Sequence, residues 1–479
     1  MNYPFWDVPF IGSGWVIGGI AIFHIMVSHF AVGGGLYLPL AERKARLEGR
    51  DDWLGILKKH SKFFLVLTGV FGAVTGVAIW FAIGLANPEA TSTLIHNFVF
   101  GWAIEYVFFL VELTTAAIYY YTWDKISPSL HLKVGYLYAA TSWLTLVIIN
   151  GILTFMLTPG ETWLNVAGTG NEASVFWYAF FNPTYFPSLI LRTLVAISLA
   201  AVWALVTTSR IDGFTDGKLK TSIVRWSVKW LIPSFLLMPI AFAWYIYMIP
   251  ASSRALMNLG ISTIGAGTFT HVTRAILVSV MASATIAVLA YFVAYRNPRT
   301  FKTGWALSVM LLACAATAAT EQAREMLRKP FVIGQFMYSN GIRKSEVDKF
   351  NQEGYLAHSM WIRHETENAA YQKVGGLSDE EKVLQRGEMM FRGQCASCHT
   401  RDGYRAMGLL LKDRDETSVR NIVRMLHEYK DDSPYRAFMP PLVGKDDELE
   451  ALVQYLGTLN VSPRQNSEKA TQTAQLNQQ

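Results

Sequence analysis

The sequence predicts an all-α fold, a polytopic membrane helix bundle followed by a small C-terminal domain. Of the 479 residues, 52% are hydrophobic and only 16% are charged, whereas soluble proteins carry about 25% charged residues. Apolar runs of about 20 residues, the length that crosses a bilayer, recur from the N-terminus to about residue 323. The rest of the chain is polar and charged, which is typical of a domain outside the membrane.

Eight of these apolar runs are candidates for transmembrane helices. They cover about residues 11–40, 63–86, 97–122, 134–158, 185–208, 228–250, 270–294 and 303–323. The sixth run contains Pro233 and Pro239, and a proline inside a helix bends it because it removes a backbone donor. We therefore expect eight spans, of which the sixth is kinked.

Positive charge is distributed unequally between the loops of the predicted bundle. The loops after the first, third, fifth and seventh spans carry nearly all of its Lys and Arg residues, and the opposite loops contain only Arg254. Lys/Arg-rich loops of membrane proteins lie in the cytoplasm. Both termini are therefore predicted to lie outside the cytoplasm. The same pattern accounts for the net charge of +6 and argues against nucleic-acid binding.

Composition divides the chain into four parts. Residues 1–335 form the predicted membrane domain, residues 336–382 a charged linker and residues 383–460 a small globular domain. Residues 461–479 are rich in Gln, Asn, Ser and Thr, a composition that predicts disorder because it offers little apolar surface to bury.

The small domain contains the attachment pattern of a covalent haem. Cys395 and Cys398 are followed directly by His399, which is the c-type haem motif. The thiols add to the vinyl groups of the haem, and the histidine then binds the iron. A zinc site would need a second pair of ligands, and the remaining cysteine, Cys314, lies in an apolar run. The motif predicts one covalent haem c, which bacteria attach outside the cytoplasm.

The second axial ligand of this haem is expected to be Met439. It precedes two prolines, and this resembles a class I cytochrome c, in which a Met before Pro closes the haem pocket. Met407 and Met425 are alternative ligands, and core packing is the competing role for all three. A Met ligand would raise the reduction potential relative to a second histidine.

Ionisable residues in or beside the predicted spans form a second set of candidates, because charge is costly inside a bilayer. They are His24, Glu105, Glu112, Arg192, Arg274, Glu321, Glu325 and Arg328. A buried haem takes His or Glu as an axial ligand, its propionates bind Arg, and glutamates can deliver protons to reduced oxygen. The competing roles are a hydrogen-bonded core histidine for His24 and helix-bridging carboxylates for the glutamates.

These residues resemble subunit I of the cytochrome bd oxygen reductases over about residues 10–335. Residues 22–24, before a Gly-rich stretch, are similar to the family's first helix and its haem-ligand histidine. Residues 103–125 are similar to its third helix, with two glutamates at the high-spin haem site, after one deletion between Glu105 and Glu112. Residues 325–331 are similar to its Glu-x-Gly-Arg-Gln-Pro-Trp segment, whose glutamate binds a high-spin haem b.

The chain also departs from the family pattern. The family's low-spin haem b binds a His in span five, where this chain has Leu191 and Arg192. It also binds a Met that follows an Arg in span seven, whereas here Arg274 is followed by the apolar residues 275–277. The quinol-binding loop between spans six and seven is absent, and the haem c domain replaces the ninth span. The low-spin haem b is therefore expected to be absent from its usual site.

The resemblance implies a haem-containing terminal reductase in the bacterial inner membrane, with the haem c domain on the periplasmic side. Two high-spin haems, of b and b or b and d type, would be held by His24 and Glu325, with Glu105 as a further candidate ligand. Arg192, Arg274 and Arg328 would bind haem propionates.

The expected reaction is reduction of O2 to water, with Glu105 and Glu112 relaying protons. A periplasmic donor, such as a cytochrome c, would reduce haem c, and a second membrane subunit of cytochrome bd type would be the partner. Nitric oxide is the alternative substrate at the same site.

Two other functions compete with this expectation. The chain could be an electron-transfer subunit between membrane quinone and periplasmic cytochromes, although the missing quinol loop argues against it. It could also be a structural subunit that has lost its membrane haems. The presence of His24, Glu105, Glu112 and Glu325 argues against this second alternative.

Overall fold

The computed structural model describes residues 6–262, 270–359 and 378–459. Apart from a hairpin of β1 (Phe331–Ile333) and β2 (Met337–Tyr338), the regular elements of these residues are helices, which confirms the all-α fold class. The predicted tail at residues 461–479 and most of the second half of the predicted linker lie outside the described residues.

The first half of the chain forms ten α-helices. They are α1 (Ser13–Leu47), α2 (Asp51–Val66), α3 (Ala73–Ala86), α4 (Pro88–Asn97), α5 (Val99–Tyr121), α6 (Pro128–Phe155), α7 (Glu161–Leu164), α8 (Phe176–Phe180), α9 (Tyr185–Thr208) and α10 (Gly217–Met248). A π-helical turn, Leu67–Gly72, joins α2 to α3, and a short 3-10 helix, Glu172–Val175, precedes α8.

The second half of the described chain continues with nine further α-helices. They are α11 (Ala251–Ser262), α12 (Thr270–Val288), α13 (Thr303–Leu327), α14 (Val347–Glu353), α15 (Tyr355–His358), α16 (Asp379–Gln394), α17 (Met407–Leu410), α18 (Glu416–Glu428) and α19 (Asp446–Leu459). A π-helical segment, Leu289–Tyr295, extends α12, and two 3-10 helices cover Pro298–Thr300 and Lys344–Glu346.

Eight helices of the described chain are long and apolar enough to cross a membrane, which confirms the predicted number. They are Ser13–Leu47, Asp51–Ala86, Val99–Tyr121, Pro128–Phe155, Tyr185–Thr208, Gly217–Met248, Val272–Tyr295 and Thr303–Leu327. Several extend beyond the apolar run that identified them. The fourth begins at Pro128 because Ser127 caps it, its hydroxyl accepting from the backbone N–H of Leu130, and proline suits the first turn of a helix.

The described chain divides into two compact units, and the larger comprises residues 20–79 and 93–328. In this unit α5 packs on α6, α9 on α10 and α12 on α13. Its interior is apolar, with fully buried Trp53, Leu57, Phe301 and Tyr37 among the side chains that fill it. Short side chains allow close approach of the helices, as is common in membrane proteins.

The smaller unit comprises residues 1–19, 80–92 and 329–479. Its apolar core is built mainly by α16 and α19, which cross closely because Gly387 has no side chain: a Cβ there would lie 2.1 Å from the carbonyl oxygen of Ala451. Ile342, Phe350 and Tyr355, from the segment that composition assigns to a linker, lie in the same buried cluster.

Gly33 tests the packing of the first membrane helix. A Cβ at this position would lie 2.0 Å from the carbonyl oxygen of Ala196 on α9, and a backbone oxygen cannot move aside as a side chain can. Gly33→Ala is therefore expected to destabilise the protein by about 1–3 kcal/mol, measured as a lower midpoint of thermal unfolding in detergent. Gly55→Ala on α2, where a Cβ meets nothing within 4 Å, is the control. An equal response of the two variants would contradict this packing.

Candidate haem-binding sites

The Cys-x-x-Cys-His motif lies at the C-terminal end of α16. This helix begins with a capping box, in which Ser378 and Glu381 satisfy each other's backbone N–H groups, and it ends at the first cysteine. The backbone then continues as one more turn, because the N–H groups of Cys398 and His399 both donate to the carbonyl of Cys395, at 3.0 and 2.9 Å. Both thiols and the imidazole are therefore carried by a single turn, as covalent haem attachment requires.

The ring of His399 is oriented by a hydrogen bond. Its Nδ1 lies 3.2 Å from the carbonyl oxygen of Arg405, and a carbonyl can only accept, so Nδ1 carries the proton. The other nitrogen, Nε2, then keeps its lone pair for a metal, which is the usual arrangement of ligating histidines. Burial lowers the pKa of His399, which favours the neutral ring. The residues of the motif thus fit a haem iron.

The two thiols of the motif have different electrostatic surroundings. Burial raises the pKa of Cys395 to about 12. Burial also opposes ionisation of Cys398, but the ammonium group of Lys329 and the hydroxyl of Ser397 outweigh it and lower the pKa of this thiol. The Nζ atom of Lys329 lies 3.9 Å from the Sγ atom of Cys398.

The three candidate methionines occupy different surroundings. Met407 is buried in the apolar core, whereas Met425 is 38% exposed. Met439 is half-buried in a loop. Its backbone N–H donates to the carbonyl of Tyr435 at 2.8 Å, and its backbone carbonyl accepts from the hydroxyl of Tyr429 at 2.9 Å. This double attachment fixes the backbone of Met439 and so limits where its thioether can reach.

His24 on α1 is also oriented through Nδ1, which lies 2.8 Å from the Oγ1 atom of Thr75. The hydroxyl of Thr75 donates to the carbonyl of Phe71 at 2.6 Å, so it can only accept from His24. Nδ1 therefore carries the proton, and Nε2 keeps its lone pair. A Cβ on Gly76 would come within 3.4 Å of the imidazole. The ring thus meets the same chemical requirement for iron binding as His399 does.

The backbone beside this histidine is irregular. Thr75 follows the π-helical turn Leu67–Gly72 by three residues, and π-helical turns inside α-helices are frequent at functional sites. The turn shifts the register of the residues after it relative to α2. It therefore determines which hydroxyl faces His24.

The end of α13 carries two ion-paired clusters. Glu325 forms an ion pair with Arg328, whose Nη1 atom also lies 3.2 Å from the sulfur of Met156. One turn earlier, Glu321 binds both Arg192, at 3.2 Å, and Arg324, at 2.9 Å.

Both clusters contain guanidinium nitrogens that the protein leaves unsatisfied. The Nη1 atom of Arg324 and the Nε atom of Arg328 are buried and have no hydrogen-bond partner among the described residues. Buried polar atoms are nearly always paired. Two orphan guanidinium donors fit a carboxylate-bearing group such as a haem with its propionates.

Glu105 and Glu112 lie on α5. Glu112 is buried, and its carboxylate accepts from Ser142 at 2.9 Å and from Thr145 at 3.3 Å. Glu105 is half-buried. This pair of carboxylates, seven residues apart on one helix, can hold and pass protons in a region without bulk water.

The predicted residues do not form one cluster. Among the described residues, ion pairs join Glu325 to Arg328 and Glu321 to Arg192. His24 is instead hydrogen-bonded to Thr75, and Glu112 to Ser142. Arg274 is exposed on α12 and joins neither cluster among the residues that the structure describes.

Sequence reasoning missed three residues of these networks. Thr75 orients His24, and Ser142 and Thr145 hold Glu112, but hydroxyl residues are common in membrane helices and nothing in their local sequence distinguishes them. His29, one helical turn beyond His24, is fully buried, and its Nδ1 donates to the carbonyl of Ile25 at 2.7 Å.

Comparisons with known proteins agree with the membrane part of this architecture. Residues 13–241 match the family model described as cytochrome bd terminal oxidase subunit I. A Bacillus subtilis (strain 168) protein, named as a cytochrome bd menaquinol oxidase subunit I, is 28% identical over 165 residues, which are 34% of this chain and 36% of that protein. The matched stretch thus spans about a third of the length of this relative.

The fold has a counterpart among solved structures. The structure of bd oxidase from Geobacillus thermodenitrificans superposes with a TM-score of 0.52 at 14% sequence identity, covering 79% of this chain and 94% of that one. At this identity the likeness shows a shared fold. The eight apolar helices of the described residues agree with this fold and indicate a multi-pass membrane protein.

Proposed function

We propose, starting from the match of residues 13–241 to the model of cytochrome bd terminal oxidase subunit I, that this chain is the catalytic subunit of a cytochrome c-fed terminal reductase. Cys395, Cys398 and His399 would hold a covalent haem c and His24 a high-spin haem, and these groups would supply the redox chemistry by which a periplasmic donor reduces O2 to water. Each O2 takes up four electrons and four protons and yields two water molecules.

The observation that carries this proposal is that two histidines each have a hydrogen bond from Nδ1 to an oxygen atom, which favours the same tautomer in both. Nδ1 of His24 and Nδ1 of His399 each donate to a fixed oxygen, at 2.8 and 3.2 Å. Each ring is thereby left with a free lone pair on Nε2, the form that binds iron. One ring lies in a bd-like membrane helix and the other in a haem c motif, so a single chain offers both an entrance for electrons and a place for their use.

The remaining residues have supporting roles in this proposal. Met439 would bind the iron of haem c, and Glu325 would bind a high-spin haem, with Glu105 as a further candidate. The negative charge of haem propionates would be balanced by arginines, namely Arg192, Arg274 and Arg328. Arg324, whose Nη1 atom has no hydrogen-bond partner among the described residues, would have the same role. Glu105 and Glu112 hold protons for delivery to the oxygen site. The haems, when bound, supply the redox chemistry itself.

The proposed donor differs from the one in the name of the Bacillus relative, a menaquinol. Support for cytochrome c comes from the haem c motif and from the absence of the family's low-spin haem ligands in spans five and seven. A second membrane subunit of bd type completes the complex. The distribution of Lys and Arg between the loops supports a periplasmic position of the haem c domain.

The donor is tested by oxygen consumption of the purified complex. With a reduced soluble cytochrome c we expect steady O2 uptake, whereas a menaquinol analogue at saturating concentration should give little. Nitric oxide is offered as the acceptor in a parallel assay. Rapid O2 uptake with the quinol and none with cytochrome c would contradict the proposed donor, and consumption of NO alone would contradict the proposed acceptor.

His24→Ala tests the membrane ligand. Because the ring would no longer supply Nε2, the carbon monoxide response of the reduced high-spin haem should be lost, and oxygen consumption should fall to background. The haem c absorption should persist, since His399 is untouched. His60→Ala is the matched control: His60 is also buried and bonded to a threonine, Thr207, at 2.7 Å. A normal carbon monoxide difference spectrum in His24→Ala would refute this ligand.

Met439→Ala tests the haem c ligand. Loss of the thioether should lower the haem c reduction potential and abolish the long-wavelength band of a Met-ligated ferric haem, which redox titration and visible spectroscopy measure. Met407→Ala and Met425→Ala serve as comparisons, and neither is expected to affect the band. If one of these removed the band and Met439→Ala did not, the ligand would be reassigned.

A further inference from the structure

An open cavity lies between the C-terminal end of α1 and the beginning of α6. Its volume is about 660 Å³, which is within the range of pockets that bind small organic molecules. The lining residues are Leu40, Arg43, Arg46 and Leu47 of α1 and Ser129, Leu132, Lys133 and Tyr136 of α6. These helix ends lie on the side of the Lys/Arg-rich loops, which the charge distribution assigns to the cytoplasm.

The cavity lies next to a close approach of the two helices. A Cβ on Gly135 of α6 would lie 2.9 Å from the Cβ atom of Pro39 on α1, so the two helices nearly touch at this level. Beyond it, the lining residues of each helix recur at intervals of three and four along the chain, a spacing that places them on one helix face. Two helix faces therefore border the same open space.

The lining of the cavity contains cations and no carboxylate. Arg46 is already compensated, because its Nε atom lies 2.6 Å from the carboxylate of Glu42. Arg43 on α1 and Lys133 on α6 are exposed, and neither has an ion-pair partner among the described residues. Each of the two helices thus contributes one uncompensated positive charge, and the cavity is complementary to an anion.

The part of the cavity nearer the middle of the bundle is apolar. Leu40 and Tyr136 belong to the apolar runs of the first and fourth spans, whereas Arg43 and Lys133 lie just outside these runs. Three residues of helix separate each pair, which is about 4.5 Å along the axis. Tyrosine is enriched at this boundary between hydrocarbon and headgroups. The cations therefore lie at headgroup level, and Leu40 and Tyr136, each 39% exposed, lie at the level of acyl chains.

We propose that this cavity binds an anionic phospholipid of the cytoplasmic leaflet. The phosphate diester accepts from Arg43 and Lys133, and an acyl chain lies along Leu40 and Tyr136. Basic pockets between transmembrane helices on the cytoplasmic side bind anionic headgroups. A soluble phosphate would leave the apolar lining without a partner, and a lipid without net charge would leave the two cations uncompensated. The site depends neither on the proposed electron donor nor on the oxygen chemistry.

Native mass spectrometry of the purified complex tests this site. The complex is stripped of lipid in detergent and titrated with phosphatidylglycerol, and the fraction that retains a bound lipid is measured. Arg43→Gln and Lys133→Gln should each weaken binding about fivefold, and the double variant about 30-fold, which is the usual contribution of basic residues to anionic-lipid binding. Phosphatidylcholine should bind weakly to the wild type and to the variants alike.

Lys125→Gln is the matched control. Lys125 is also exposed, follows α5 on the same side of the bundle and does not line the cavity. This variant should bind phosphatidylglycerol as tightly as the wild type does. Inorganic phosphate at the same concentration as the lipid should not displace it, because phosphate has no acyl chain to contact Leu40 and Tyr136.

Three results would overturn the lipid site. An equal loss of phosphatidylglycerol in Lys125→Gln and in the cavity variants would indicate general attraction to a basic surface. Displacement of the lipid by inorganic phosphate would assign the cavity to a soluble anion. Loss of the second membrane subunit from both cavity variants, with lipid binding unchanged, would make the cavity a protein contact. If Arg43→Gln does not assemble, Lys133→Gln decides between these outcomes.

Discussion

The hydrogen bond between Nδ1 of His24 and the hydroxyl of Thr75 is the interaction on which the proposed membrane site depends. A neutral imidazole has one donor and one acceptor nitrogen. A partner that accepts a hydrogen bond from one ring nitrogen therefore leaves the lone pair on the other. Thr75 accepts because its own proton is committed to the carbonyl of Phe71 at 2.6 Å. A backbone carbonyl within the π-helical turn Leu67–Gly72 therefore determines, through one hydroxyl, which nitrogen of His24 is available to iron.

The bundle contains many charges, and it keeps them by pairing them across helices. An ionised group costs several kcal/mol inside a low-dielectric interior unless it is paired and hydrogen-bonded. Glu321 of α13 is paired with Arg192 of α9, and Glu42 of α1 is bonded to residues of α5 and α6. Among the charged side chains that the structure describes, Arg324 and Arg328 each keep one buried nitrogen without a hydrogen-bond partner. In the proposed reductase these two nitrogens would donate to haem propionates.

The fold was predictable because lipid imposes a simple rule on sequence. Eight apolar runs became eight helices, and Cys395, Cys398 and His399 lie on one turn as their spacing implied. The buried contact of Glu42 with His131 was not predictable, since both residues lie beyond the apolar runs. Glu42 is followed by basic residues and resembles part of a charged loop, but α1 continues to Leu47 and buries it. His131 precedes the apolar run of the fourth span, and the Ser127 cap brings it into α6.

The central claim is that one chain joins a haem c to a high-spin haem that binds small gaseous ligands. The most direct test is the dithionite-reduced minus oxidised spectrum of the purified wild-type complex, repeated after addition of carbon monoxide. We expect a haem c signal that carbon monoxide leaves unchanged and a second haem signal that it shifts. A haem c signal alone, with no response to carbon monoxide, would instead indicate an electron-transfer or structural subunit.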